Sequence, residues 1–232
     1  MPTRMSGFPP RDARRLVLVR HGQTAWNLDK RAQGHADIPL DDVGHAQARA
    51  MAPHVAALEP VRLWTSDLAR AAETAAYLGV ACGIPVERDR RLREYSVGER
   101  SGLTRAQFAE RFPREYAAWL AEDESVLLPG AESTADVLAR MVPALRECLA
   151  ALGPGETGAV VTHGACLRAA LLELVGLPQS ADAAFATMGN CAWTVLQEAE
   201  LGGRLRVAAY NAGVPATSAA PATDFRLDEA VG

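Results

Sequence analysis

Two short apolar runs in this chain end in the same way. Leu16-Val17-Leu18-Val19 leads through Arg20 into His21-Gly22, and Ala159-Val160-Val161-Thr162 leads directly into His163-Gly164. Short aliphatic runs bounded by polar residues read as buried strands. In a parallel sheet the carboxyl ends of strands open onto one edge, so the two imidazoles are expected to face each other across one crevice. The glycine after each lets the backbone turn sharply and lets a ligand come close.

The stretches between these runs alternate strand and helix. Residues 61–64 and 86–88 read as weaker strands, whereas 42–58, 67–82, 104–122 and 132–152 carry helical apolar spacing. Asp41, Ser66 and Thr104 stand where N-caps are wanted, and Pro53 is expected to kink the helix it interrupts. Residues 191–197 and 205–210 flank Gly202-Gly203 and read as a hairpin at a sheet edge. The expected fold is therefore a three-layer α/β/α sandwich with a mainly parallel sheet and an antiparallel edge. One domain is expected over residues 14–211, with a flexible lead-in over 1–13 and a disordered Ala/Pro/Thr-rich tail over 212–232.

Composition narrows the function classes. A chain of 232 residues can bury a substantial core, and a formal net charge of −4 leaves no footprint for nucleic acid or an anionic membrane. Basic chemistry must then be concentrated in a pocket. The longest apolar run, 158–177, is interrupted by His163, Arg168 and Glu173, which rules it out as a bilayer span, and the N-terminus carries no apolar signal core. Cys82, Cys148, Cys166 and Cys191 lie scattered in apolar stretches without metal or disulfide spacing, so a reducing cytoplasmic compartment is expected.

Arg20 directly precedes His21, and Arg70 lies in the first turns of a helix that follows a strand. Two arginines, two imidazoles and a helix N-terminus at one sheet edge would make a compact site for a dianionic phosphoryl group. His35, His45 and His54 read as plain polar residues, and the carboxylates do not cluster with histidine at ligand spacings, so no metal is expected.

The wider pattern resembles the histidine phosphatase superfamily, in its phosphoglycerate-mutase-like branch. It comprises Arg20-His21-Gly22-Gln23-Thr24 with Asn27, then Gly34, Asp37 and Pro39-Leu40, then Ser66, Leu68, Arg70-Ala71 and Thr74-Ala75, then Glu94, Gly98 and Gly102, then Glu132-Ser133 and His163-Gly164. The resemblance implies a metal- and cofactor-independent phosphomonoesterase in which His21 becomes a phosphohistidine. Arg20, Asn27, Arg70, His163 and Gly164 would hold the phosphoryl group, and Glu94 would protonate the leaving oxygen. Gln33 and Arg100 are candidates for contacting the rest of the ester. Arg100 stands where the family usually has Trp, Ala131 replaces a glycine, and Asp41 replaces Thr or Ser.

A mutase of this branch differs after the acid, whereas this chain reads Glu94-Tyr95-Ser96-Val97-Gly98 and has Lys30 as its only lysine, which favours hydrolysis. A narrower resemblance is to actinobacterial glucosyl-3-phosphoglycerate phosphatases. It runs through Met188-Gly189-Asn190-Cys191-Ala192-Trp193-Thr194, Tyr210-Asn211-Ala212, the opening Arg14-Arg15-Leu16-Val17, and Gln33-Gly34. The implied partner is a small phosphate ester, with no nucleic acid and no membrane; a homodimer is left open. The alternatives are a mutase or, from another class, an inactive module that only binds a phosphorylated ligand.

Overall fold

The computed structural model describes residues 12–199 and 204–214. Six strands form one sheet: β1 (Arg15–Arg20), β2 (Pro60–Thr65), β3 (Val86–Arg88), β4 (Thr157–Thr162), β5 (Trp193–Glu198) and β6 (Leu205–Ala212), in the order β3-β2-β4-β1-β5-β6. The pairs β1/β4, β2/β4 and β2/β3 are parallel, and β1/β5 and β5/β6 are antiparallel. The helices are α1 (Ala25–Leu28), α2 (Asp42–Ala56), α3 (Ala69–Cys82), α4 (Arg105–Arg111), α5 (Pro113–Leu120), α6 (Thr134–Ala150) and α7 (Gly164–Val175).

The strand period of two sorts β1 onto two cores. Leu16 and Leu18 join Val160 in a layer with Met141 and Leu145 of α6 and Leu167 and Leu171 of α7. Val17 and Val19 join Ala159 and Val161 in a layer with Met51 and Val55 of α2 and Ala71 and Leu78 of α3. A strand covered on both faces must be apolar throughout, which is why β1 and β4 lack polar alternation.

Several expected boundaries move for identifiable reasons. The helix expected over 104–122 is two helices. Pro113 cannot donate to the preceding turn, so α4 stops before Phe112 and Pro113 opens α5 at a position where no donor is required. Asp41 and Thr104 do cap α2 and α4, accepting from Gly44 N and Gln107 N. Ser66 is not a cap: Leu68 holds that position on α3, and the Ser66 hydroxyl is 2.9 Å from His163 Nε2. The hairpin begins at Trp193 because Cys191 takes a left-handed backbone, φ 56°, and leaves the ladder. Its Gly202-Gly203 turn lies outside the described residues.

The expected lead-in over 1–13 lies outside them as far as residue 11, but Ala13 is buried and the Asp12 carbonyl accepts from Gly155 N. Of the expected tail, the described part includes Ala212 within β6, and residues 215–232 lie outside. Among the described residues no helix is long and apolar enough to cross a membrane, and the four cysteines are free, with Cys82 the most exposed of them.

Candidate active site

The parallel register sets Arg20 opposite Thr162, so the residues that follow, His21 and His163, leave adjacent central strands side by side. His21 N still donates to Thr162 O at 3.0 Å, and the ring centroids are 5.2 Å apart. Gly22 must be glycine for a steric reason: a Cβ there would lie 2.7 Å from the Gly44 carbonyl oxygen.

Hydrogen bonds select the tautomers. His21 Nδ1 lies 2.7 Å from the Gly22 carbonyl, which can only accept, so Nδ1 carries the proton and Nε2 keeps its lone pair. At His163 the polarity is reversed. Arg70 Nε donates to Nδ1 at 3.2 Å, leaving Nε2 to donate to Ser66 Oγ. Both rings are buried. Burial pushes the His21 imidazolium well below its ordinary range, Arg70 and Arg20 add to the shift, and the Gly22 carbonyl opposes it. Burial also lowers His163, followed by Arg70, His21 and Arg20. Two neutral imidazoles result.

Arg70, on the first turn of α3, is 1% exposed. Its remaining bonds run to the carbonyls of Ala36 and Gly34, each at 2.8 Å, and burial lowers its pKa to about 10. Gly34 sits at φ +51° with Val97 packed against it, a backbone setting that favours glycine. Arg20 donates to the Met188 carbonyl, and its buried Nε has no hydrogen-bond partner among the described residues. That Nε would be 3.4 Å from a Cβ placed on Gly164, so the guanidinium lies against the start of α7. Among the described residues no carboxylate forms an ion pair with Arg20 or Arg70. Asn27 completes the capping box of α1: its Oδ1 accepts from Thr24 N and Oγ1 at 3.1 Å each and from Asn190 Nδ2 at 3.4 Å, so its amide N–H groups are not used there.

Glu94 lies in the loop after the 3-10 turn Arg90–Leu92. Its Oε1 accepts from Cys166 N at 2.8 Å and Tyr95 N at 3.0 Å, and its Oε2 from Ala165 N at 3.1 Å. It therefore docks on the N-terminus of α7, where the free N–H groups of a helix favour negative charge. Its neighbour Arg93 pairs with Asp67 at 2.6 Å. Among the described residues no group of three His, Cys, Asp or Glu is placed to hold a metal ion.

The model of the histidine phosphatase superfamily, branch 1, matches residues 16–211. The chain belongs to this superfamily. A curated relative, the glucosyl-3-phosphoglycerate phosphatase of Mycobacterium tuberculosis (strain ATCC 25618 / H37Rv), is 39% identical over 191 residues, covering 79% of this chain and 85% of the relative. A metal-independent phosphoserine phosphatase of Arabidopsis thaliana is 39% identical over 162 residues, covering 68% of this chain and 68% of the relative. Among solved structures, a mycobacterial glucosyl-3-phosphoglycerate phosphatase in complex with VO3 superposes with a TM-score of 0.78 at 38% identity, covering 86% of this chain and all of that one.

In this histidine phosphatase the expected residues His21, His163, Arg20, Arg70, Gly164 and Glu94 meet at the carboxyl ends of β1 and β4 and the start of α7, and Asn27 is tied to that edge through Asn190, which bonds both Asn27 Oδ1 and the His21 carbonyl. Arg100 instead stacks over Phe108 and Trp119, with its guanidinium carbon 4.8 and 4.3 Å from the ring centres, and its buried Nε has no hydrogen-bond partner among the described residues. Gln33 also has a buried Oε1 without a hydrogen-bond partner among the described residues, and its backbone carbonyl accepts weakly from Ser101, next to Arg100. Sequence reasoning missed the Ser66 contact to His163. It also missed Asn190, whose amide donates to the His21 carbonyl at 3.0 Å. His35, read as a plain polar residue, lies 2.8 Å from the Glu94 carbonyl. His45 and His54 do take ordinary places, against Tyr77 and Trp193.

Proposed function

We propose that the chain is a metal-independent phosphomonoesterase that works through a phosphohistidine at His21 Nε2. The observation that carries this reading is the tautomer set by Gly22: a buried, neutral imidazole whose Nε2 lone pair stays free, with the Arg70 and Arg20 guanidinium groups acting on it. Nε2 attacks phosphorus, the P–O bond to the alcohol breaks, and Glu94 gives the leaving oxygen its proton. After that transfer the Glu94 carboxylate takes a proton from water. The water oxygen bonds phosphorus, the P–N bond breaks, and inorganic phosphate leaves. Arg20, Arg70, Asn27 and Gly164 hold the equatorial oxygens, where preplaced charge counts most, and His163 joins them by sharing its Nε2–H between Ser66 and the phosphoryl group.

The relatives' activities suggest the ester class: a small phosphorylated metabolite, with glucosyl-3-phosphoglycerate foremost. The carboxylate of such an ester would suit Arg100, with Gln33 beside it. A cytoplasmic setting fits such a substrate. The residues after Glu94 and the single lysine favour hydrolysis over mutase transfer, and the intact set of His21, Glu94 and both arginines disfavours an inactive binding module.

The test is a panel of phosphomonoesters at matched concentration, with rapid quenching from a 32P-labelled ester. Acid-labile label and turnover are expected with the native chain and from neither with His21→Ala. Label or turnover persisting in His21→Ala would refute the assignment.

A further inference from the structure

Glu94 must aim its carboxyl group at the leaving oxygen from a loop, and the loop backbone is held mainly by side chains. The Arg140 guanidinium on α6 donates to the carbonyls of Arg91, Arg93 and Glu94 at 2.9, 2.7 and 2.8 Å. It is itself gripped by both oxygens of Glu132 at 2.8 Å each, and Glu132 also accepts from Ser96 N. A second side chain also reaches the Glu94 carbonyl. His35 Nε2 lies 2.8 Å from it, and a carbonyl can only accept, so this nitrogen donates. His35 also stands 3.7 Å from Glu132 Oε2.

The neighbours of His35 matter more than the bond itself. Gly34 and Ala36 supply the two carbonyls that orient the terminal nitrogens of Arg70. Three consecutive residues therefore fix the phosphate-facing arginine with their outer carbonyls and the acid's backbone with their middle side chain. We propose that His35 is a positioning residue that ties the setting of Glu94 to that of Arg70, so that the proton donor and the phosphoryl clamp share one frame. This rests on the reading of Glu94 as the general acid. His35 touches neither Glu94's carboxyl group nor Arg70's side chain in its hydrogen bonding, so it acts only through the backbone.

A displaced acid hurts most where the leaving group needs a proton, which separates this role from mere packing. The experiment compares His35→Ala, His35→Gln and Glu94→Gln in the full chain on an unactivated alkyl phosphate and on p-nitrophenyl phosphate. Loss of one hydrogen bond of this kind corresponds to roughly a three- to tenfold effect. His35→Ala should lose that much in kcat on the alkyl ester, with a clearly smaller loss on the aryl ester and KM little changed. His35→Gln, whose amide N–H can reach the same carbonyl, should recover most of the rate. The side chain is about a third exposed, 33%, so the fold should tolerate the change; His35→Met, which removes the donor and keeps volume, replaces the alanine variant if that one fails to fold.

Equal losses on both esters, no loss on either, or a glutamine variant no better than alanine would overturn the proposal. The Glu94→Gln arm separates the two readings. If it discriminates between the esters and His35→Ala does not, only the role of His35 fails. If Glu94→Gln does not discriminate, the acid assignment fails and the role of His35 with it.

Discussion

Replacing Arg70 with alanine should nearly silence the enzyme while leaving the fold close to its native stability. A guanidinium has five N–H donors. Arg70 uses three of them on His163 Nδ1, Ala36 O and Gly34 O, which leaves two, one on each terminal nitrogen, for the phosphoryl oxygens. Charge-assisted contacts of that kind contribute about 1.5–3 kcal/mol each, so two of them amount to roughly 3–6 kcal/mol, or about 10²–10⁴ in kcat/KM. Stability is a closer balance. Three acceptors lose a donor at about 1 kcal/mol each, but a nearly fully buried cation with no carboxylate partner is also removed, and its own pKa, lowered to about 10, records the cost of keeping it charged.

The assay measures kcat/KM by steady-state kinetics and Tm by calorimetry, with and without inorganic phosphate. Phosphate should raise the native Tm, since a ligand at a hundred times its Kd stabilises by about 2.7 kcal/mol, and it should do far less for the variant. Activity within tenfold of native at an unchanged Tm, or equal stabilisation of both proteins by phosphate, would refute the reasoning.

The pH dependence of stability follows from the two histidines. Both are held neutral in the folded protein, His21 and His163 being lowered well below 6.5, whereas in the unfolded chain they take up protons near that ordinary value. Below it the unfolded state binds more protons, so stability is fullest above about pH 6.5 and falls as pH drops toward the folded values, with a limiting slope of about 2.7 kcal/mol per pH unit for two groups. Tm measured from pH 7.5 to 5 should fall on the acid side, and less steeply in His21→Ala; a flat native profile would contradict the neutral assignment. Arg100→Ala should cost a carboxylate-bearing ester about tenfold to a hundredfold in kcat/KM and a neutral ester much less. Because Arg100 also stacks on Phe108 and Trp119, a uniform loss on both esters would assign it to packing alone.

What could be read from the sequence follows from the range of the interactions involved. The His-Gly repeat after two apolar strands foretold the paired imidazoles because sheet register carries local pattern into spatial neighbourhood. Arg70 was legible for the same reason, as a helix-start residue behind a strand. The break at Pro113 was harder to read, because an internal proline does not always end a helix: Pro53 and Pro143 lie inside α2 and α6, whereas Pro113 opens α5. Ser66 and His35 were not legible. A serine before a helix offers its hydroxyl to the helix by default, and only the arrival of His163 from β4 gives it another partner. His35 binds a backbone carbonyl, which has no sequence signature at all.

The same reasoning explains why His21 keeps a free lone pair without a base to deprotonate it. Burial alone disfavours an imidazolium at His21, and two guanidinium groups strengthen the effect. Those guanidinium groups stay charged in turn because Arg70 is held by carbonyl oxygens and because Glu94, though not in ion-pair contact, favours the charge of both Arg20 and Arg70. Glu94 can do so only from the N-terminus of α7, where Ala165 and Cys166 offer it N–H groups. Deprotonated His21, charged arginines and an anchored carboxylate are thus mutually dependent. An arriving phosphoryl group therefore meets the excess positive charge of the two arginines beside a neutral imidazole.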